Sequence, residues 1–399
     1  MKDVRLMSDA RRDLRGRAAI VGVADAVSPS GELDRYGRAL EADMVAEALE
    51  DAGLSLSDVD GLASASGPMA TLQLAEYLGI HPRWTDTTSI GGSSYEAHVE
   101  HAACAIGFGL ADVVVSVHAQ TPRGDRRRGH QQMRRPDMYG SALLEFEVPY
   151  GLRMPIGAYA MSASRHMALY GTTSEQLAQI AVTTRAWASM NPRARYQDPI
   201  TVDDVLSSSM ECEPLHKLDC CLVTDGAGAV AVTGAERAAD LRRPPVYVLG
   251  CGTAHDHSSI SQMPDLTQTC GVVSGRTAFE MAGVKPSDVD VAELYDSFTI
   301  TVLLALEDLG FCGKGEGGDF VADGKTGPGG SFPLNTNGGG LSYTHPGMYG
   351  MFLLVEAVRQ LRGDCGDRQV ADAEVAVAHG TGGVLSSTAT LVLGTEATL

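Results

Sequence analysis

The sequence predicts an α/β protein built from two similar halves, each a sheet layered with helices, and three observations carry that reading. The first is an internal repeat: LEDAGLSLSDVDGL at 49–62 and FEMAGVKPSDVDVA at 279–292 align without gaps, sharing Ala-Gly and then Ser-Asp-Val-Asp at an offset of 230 residues. Each copy reads as helix, glycine stop, short loop and strand, a duplication of one supersecondary unit. The second is the alternation of short β-branched runs with stretches of helical period, the pattern of α/β layers. The third is size: 399 residues, 44% hydrophobic and 20% charged, can bury the core that two fused halves require.

In chain order, AAIVGVADA (18–26) reads as the first strand, the first repeat copy follows, and SIGGSSYEAHVEHAACAIGFGLADVVV (89–115) reads as a helix leading into the strand VVVSV (113–117). Residues 118–165 form the least regular stretch and are expected to be an inserted loop region. Inside it, TPRGDRRRGHQQMRRP sets Arg123, Arg126, Arg127, Arg128, Arg134 and Arg135 in an otherwise acidic chain. Either these are a solvated loop or, because Arg offers bidentate donors, they clamp a phosphate or form a subunit contact. GAERAADLRRPP breaks the pattern near 235–245, dividing the chain into halves at 1–240 and 241–399. The second half repeats the alternation with VYVLGCG (246–252), the second repeat copy, the apolar run in AELYDSFTITVLLALEDLG (292–310) and VAVA (375–378).

A net charge of −19 argues against nucleic acid as a general partner, since phosphate binding needs an excess of Lys and Arg. The N-terminal MKDVRLMSDARRDLRGR has no apolar core and no run of about 18 apolar residues occurs, so neither a signal peptide nor a membrane span is expected. Eight irregularly spaced cysteines suit buried thiols in a reducing cytoplasm, with Cys220 and Cys221 buried and Cys104 in the core. No zinc spacing is present, and no metal is expected: His98 and His101 lie one turn apart without a visible third ligand. His255, Asp256 and His257 read as a surface loop, and Asp225-Gly226 as a turn between the halves.

NTNGGGLSYTHPGMYG (335–350) is the stretch most suited to holding a ligand. Gly338, Gly339 and Gly340 permit positive φ or close backbone approach, and Tyr343, His345 and Tyr349 supply the phenolic and titratable groups. MFLLVEAVRQLRG follows at helical spacing and stops at Gly363, so the loop opens a helix, with Tyr349 on its first turn shaping the pocket.

This loop, with its glycine run and His-Pro-Gly at 345–347, resembles the Asn…Gly-Gly…Gly-His-Pro-x-Gly loop of the thiolase superfamily, in the branch of sterol-carrier-protein-type thiolases. The resemblance implies a five-layer αβαβα fold. It also implies a nucleophilic Cys at the start of the first-half helix, but the aligned positions here are Gly92 and Ser93. The family's catalytic His before the second-half helix is Tyr295, and its Cys-x-Gly acid/base segment corresponds to VAHGTGGVLSS (377–387), which holds no Cys. Of the family's groups only His345 remains.

Without an activated nucleophile, covalent acyl transfer is not expected, whereas an imidazole and phenols suit cleavage through an enolate. Tyr-Asp-Ser-Phe (295–298) and Thr-His-Pro-Gly-Met-Tyr-Gly (344–350) resemble the lipid-transfer-protein-type aldolases of actinobacterial steroid degradation. That resemblance implies cofactor-free retro-aldol cleavage of a β-hydroxyacyl-CoA to a C17-keto steroid and propionyl-CoA. The expected catalytic groups are Tyr295, Tyr343 and His345. The expected substrate-binding groups are Gly338, Gly339, Gly340, Tyr349, Ser93, Ser94, Asp296, Arg123 and Arg126, with Asp296 either on a proton path or capping a helix. It further implies a homodimer core joined by a small OB-fold/zinc-ribbon subunit as α2β2. Two other readings stay open: an acyltransferase using Ser93 or Ser94 as nucleophile, and a non-catalytic subunit that binds acyl-CoA or lipid.

Overall fold

The structure, a computed structural model, describes residues 14–129 and 140–399. Its strands are β1 (Ala18–Ala26), β2 (Gly61–Ser64), β3 (Trp84–Asp86), β4 (Val113–Gln120), β5 (Met210–Cys212), β6 (Leu215–His216), β7 (Gly226–Gly234), β8 (Val246–His255), β9 (Val291–Leu294), β10 (Val375–Gly382) and β11 (Ser387–Gly394). The helices are α1 (Gly37–Ala52), α2 (Ala70–Leu78), α3 (Ser94–Gly107), α4 (Pro122–Arg127), α5 (Gly140–Phe146), α6 (Ile156–Tyr170), α7 (Ser174–Ser189), α8 (Val202–Ser207), α9 (Ala235–Ala238), α10 (Gly271–Ala282), α11 (Thr299–Asp308), α12 (Gly317–Ala322) and α13 (Gly350–Arg362).

The main sheet runs β3-β2-β4-β7-β1-β8-β11-β10-β9. Its halves meet only where β1 and β8 exchange two residue pairs, Ala19 with Tyr247 and Ile20 with Val246. On either side of that seam the same plan recurs. In the first half β2 is parallel to β4, which is antiparallel to β7, which is antiparallel to β1. In the second half β9 is parallel to β10, then β11 and β8 follow antiparallel. Helices α3 and α13 touch strands of both halves and form the central layer, while α1 and α10 cover the outer faces. This is the αβαβα arrangement that the resemblance implies, and β3 is the first half's extra edge strand.

The repeat acts the same way twice. Helices α1 and α10 end at Gly53 and Gly283, both left-handed with φ of 74° and 67°, a conformation glycine adopts without a Cβ penalty. A one-turn segment follows whose backbone start is held by the first Asp of Ser-Asp-Val-Asp: Ser55 N–H donates to Asp58 and Lys285 N–H to Asp288, both at 2.9 Å. The second Asp then ties down the neighbouring parallel strand. Asp60 accepts the Asp112 and Val113 amides at 2.9 Å, and Asp290 accepts those of Glu374 and Val375 at 2.9 Å. A two-residue signature thus sets strand register at both ends of the molecule.

Residues 118–165 differ from the expected irregular loop, because where they are described they carry α4, α5 and the start of α6. Pro122 at the first position of α4, with Asp125 in its first turn, suits a helix start that hydrophobic periodicity alone does not reveal. Arg134 and Arg135 lie outside the described residues.

Candidate functional site

The site forms where the end of β9, the start of α3 and the start of α13 converge. Tyr295 follows directly on β9, its amide donating to the His379 carbonyl at 3.0 Å. Its hydroxyl accepts the Tyr349 amide at 3.0 Å and lies 3.1 Å from His345 Nε2. The two rings meet edge to face with centroids 5.8 Å apart, and Tyr349 stacks on His345 at 6.1 Å. With the Tyr349 N–H on one lone pair of the phenol oxygen, the Tyr295–His345 contact joins a phenol to an imidazole nitrogen, and the histidine tautomer sets which of them donates. Burial pushes the Tyr295 phenol well above its ordinary pKa, so its resting form is neutral.

Helix α3 brings Gly92 beneath this ring. A Cβ at 92 would lie 2.5 Å from Tyr295 Cζ, with Cε2 closer still, so the tyrosine ring fills the space that a side chain there would need. Tyr295 and a nucleophile at 92 exclude one another. Ser93 and Ser94 do not substitute. Ser93 Oγ is buried and donates to the Ile90 carbonyl at 3.0 Å or to Ser387 Oγ at 2.7 Å. Ser94 Oγ donates to the Gly91 carbonyl at 2.6 Å and accepts the Ile90 amide. Both hydroxyls satisfy the backbone of the helix entry, which corrects the expectation that they bind substrate or attack it.

The glycine run is also corrected. Its amides face the chain's own side chains: Gly339 N–H donates to Asn337 Oδ1 at 2.8 Å, and Gly340 and Leu341 donate to the two oxygens of Asp296 at 2.6 and 3.1 Å. A Cβ at 339 would sit 2.9 Å from Asp296 Cγ, and one at 338 would sit 2.5 Å from Ala188 Cβ. Glycine is required for approach to Asp296 and α7 rather than for approach to a ligand. Asp296 therefore anchors the 339–343 turn instead of capping α11. Burial raises its carboxyl to about 7 although the two amides oppose the shift. Tyr349 is buried, its hydroxyl donating to Asn337 Oδ1 at 2.7 Å.

Tyr343 is the largest departure. Its hydroxyl donates to Asp25, which also takes Arg193 at 2.7 Å and Arg359 at 2.6 Å. Burial alone would raise the Asp25 carboxyl, but Arg359 and Arg193 outweigh it and hold it far below the usual carboxylate range. Burial and that carboxylate push the Tyr343 phenol up. A phenol that keeps its proton in a hydrogen bond to an ionised carboxylate is a poor acid–base catalyst, and this geometry has Tyr343 holding the loop to Asp25 rather than joining Tyr295. The sequence holds no short-range signal for this cluster, since Asp25 and Arg359 are 334 residues apart.

The arginine segment is tied inward. Arg123 and Arg127 pair with Glu32 at 3.6 and 2.7 Å, Arg128 pairs with Asp125 at 2.7 Å, and Arg126 is exposed. Asp225 is buried and accepts the Arg123 and Gly124 amides, so it starts α4 rather than making a free turn. His98 bonds Ser116 and the Thr88 carbonyl while His101 bonds Asp86, so the two are separately employed. His257 bonds the Val384 carbonyl. Cys104, Cys220 and Cys221 are half-buried, less enclosed than expected.

Two groups at this junction escaped sequence reading. His118 on β4 meets the Tyr95 hydroxyl at 2.5 Å, and burial followed by the neighbouring His345 pushes it down to about 3. Glu96, in the first turn of α3, has both carboxyl oxygens buried with no hydrogen-bond partner among the described residues, and burial pushes it up to about 8. Its signal was available: Glu96 lies one helical turn from Gly92 and shares its face.

Residues 252–395 match a family described as thiolase C-terminal domain-like. The chain is 39% identical to the 17-hydroxy-3-oxo-4-pregnene-20-carboxyl-CoA lyase of Mycobacterium tuberculosis, over 96% of this chain and 100% of that protein. It is 38% identical to the steroid side-chain-cleaving aldolase of Thermomonospora curvata, over 96% and 99%. A solved structure described as the Ltp2-ChsH2(DUF35) aldolase superposes with a TM-score of 0.86 at 35% identity, covering 96% of this chain and 99% of that one.

Proposed function

Since the chain belongs to the thiolase superfamily, among its steroid side-chain-cleaving aldolases, we propose that it is a carbon–carbon lyase performing cofactor-free retro-aldol cleavage of a β-hydroxyacyl-CoA, with a steroid side-chain thioester giving a C17-keto steroid and propionyl-CoA. The observation that carries this reading is the Tyr295 ring over Gly92. The tyrosine stands where a nucleophile's side chain would be, and its hydroxyl is wired to His345. In retro-aldol cleavage the β-hydroxyl must lose a proton as the Cα–Cβ electrons become an enolate. A neutral Tyr295 serves as a relay: its oxygen takes the substrate proton while its own passes to His345 Nε2, so charge is held on an imidazolium instead of a free phenolate. The Tyr349 amide, at the N-terminus of α13, stabilises negative charge that develops on the phenol during transfer.

No acyl-enzyme forms in this scheme. Incubation with a β-hydroxyacyl-CoA followed by intact mass measurement is expected to give ketone and shortened acyl-CoA with the protein mass unchanged, and a stable acyl adduct would overturn it. A small OB-fold/zinc-ribbon partner in an α2β2 assembly accords with the solved relative, whose description names a DUF35 component. A cytoplasmic location accords with the absence of disulfides among the described residues, and no described helix is long and apolar enough to cross a membrane.

A further inference from the structure

The hydrogen bonds around Tyr295 leave one proton uncommitted. Tyr295 is hydrogen-bonded to His345, the Tyr349 proton is directed to Asn337 and the Tyr343 proton to Asp25, while Asp296 accepts two amides. Glu96 alone among these groups has a buried carboxyl with neither oxygen partnered among the described residues. A polar group in that state costs stability, yet the surrounding chain is shaped to admit it. A Cβ on Gly350, the first residue of α13, would lie 2.5 Å from Glu96 Oε2, and one on Gly380 of β10 would lie 2.7 Å from its Cδ. Two glycines from different elements therefore form the cradle, and the turn that leads into α3 carries Gly92, against which the Tyr295 ring packs.

We propose that Glu96 is the acid that protonates the α-carbon of the thioester enolate. The proposal rests on the retro-aldol reading and adds its missing second half. The β-hydroxyl proton leaves to the Tyr295–His345 pair, the Cα–Cβ electron pair becomes the enolate, and the β-carbon departs as a ketone. The Glu96 O–H bond then breaks as a C–H bond forms at Cα, giving the shortened acyl-CoA. The Glu96 carboxylate regains the proton first taken from the hydroxyl, so protons balance without a co-reactant.

The surroundings favour a neutral Glu96. Gly350 and Gly380 bring no charge, Ser93 is bound to Ser387, and His379 on β10 is turned to Thr390. Tyr295 and Tyr95 are the titratable groups that would feel its ionisation, and both are held neutral by burial. With no cation to stabilise the carboxylate, burial outweighs the opposing pull of its own backbone amide, which lies outside hydrogen-bond geometry, and keeps the acid form up to about 8.

The test is α-proton exchange of propionyl-CoA in D2O, a half-reaction without bond cleavage, on the enzyme purified with any partner subunit its activity requires. Exchange begins with removal of the α-proton, the reverse of the protonation step, and needs the Glu96 carboxylate, so wild-type exchange is expected to rise as pH rises through about 8. Glu96→Gln keeps the shape but has no acid proton, and should slow both exchange and cleavage on the order of 10²-fold with KM little changed. A folded Glu96→Gln variant with wild-type exchange, or wild-type exchange that is flat between about pH 6 and 10, would overturn the proposal. The wild-type profile decides alone if the variant does not fold. A merely structural Glu96 would shift Tm in the variant but leave the pH profile of exchange unmoved. If the wild type exchanges but cleaves no β-hydroxyacyl-CoA, the retro-aldol reading fails instead.

Discussion

In Tyr295 one hydroxyl oxygen touches both His345 and the Tyr349 amide. Tyr295→Phe retains the ring over Gly92 and removes only that oxygen, so it is expected to lower kcat on the order of 10²-fold or more with little change in unfolding midpoint. Steady-state cleavage and denaturant titration check both halves. Tyr343→Phe is expected to do the reverse, costing about 1–3 kcal/mol of stability through the lost bond to Asp25 while lowering kcat far less. Equal kcat losses in the two variants would count against placing Tyr343 outside the chemistry. Gly92→Cys, which restores the superfamily's residue type, is expected not to create a thiolase. Its Cβ collides with the Tyr295 ring, costing roughly 1–3 kcal/mol and displacing the phenol. Acidity acts on stability in opposite directions at two residues. The raised Glu96 means the native state keeps a proton the unfolded chain has lost, so its contribution declines as pH climbs from near 4.5 to about 8. The depressed Asp25 contributes stability above the ordinary carboxylate range that is lost as pH falls below it. Glu96→Gln should flatten the alkaline decline in unfolding free energy, and a slope unchanged by that substitution would show that Glu96 does not titrate there.

At the level of elements, the recurring device is glycine where a strand meets a helix. A Cβ at Gly22 on β1 would come within 3.0 Å of the Ala48 carbonyl carbon in α1, and one at Gly250 on β8 within 3.0 Å of that of Ala278 in α10, with the oxygens nearer still. These are backbone atoms that no rotamer change relieves. Gly250→Ala is therefore expected to cost about 1–3 kcal/mol or more, read as a lowered Tm, by forcing α10 away from β8. The paired aspartates make a matching prediction. Asp290→Ala leaves the Glu374 and Val375 amides without their acceptor and should destabilise by about 1–3 kcal/mol. The repeat made this legible in advance as helix, stop, loop and strand; its hydrogen bonds explain why Ser-Asp-Val-Asp recurs. Helix α4 was not legible, because TPRGDRRRG carries no apolar period and its start depends on Asp225, about 100 residues away, accepting its first amides.

For the whole molecule, α3 and α13 lie between the two sheet halves and bring Gly92, Glu96 and Tyr349 to the end of β9. A central layer of this kind forms only when both halves are folded around it, so unfolding is expected to be cooperative across them. Symmetric dimers are the commonest closed assembly of soluble proteins. A homodimer is expected by light scattering, and a stable active monomer would contradict it. The half-buried Cys220 and Cys221 have thiols pushed up by burial, to about 12 at Cys220. Iodoacetamide at neutral pH should therefore leave turnover essentially intact; stoichiometric inactivation prevented by substrate would mean a thiol takes part after all.

The amino-acid order by itself carried the duplication, the α/β layering, the helix stops at Gly53, Gly283 and Gly363, and, through the resemblance, a segment without the family's Cys near Gly92 or Ser93 and with Tyr295 in place of its His. Those features are local, or repeat at a fixed offset, and so survive in one dimension. Only the tertiary structure decided what each polar group does. Asp25 met Arg359, Asp296 met the glycine amides, Ser93 met Ser387, and Glu96 met two glycines with no side-chain partner among the described residues. Hydrogen bonds and burial, the terms that set protonation and hence catalytic role, are made between residues tens to hundreds of positions apart.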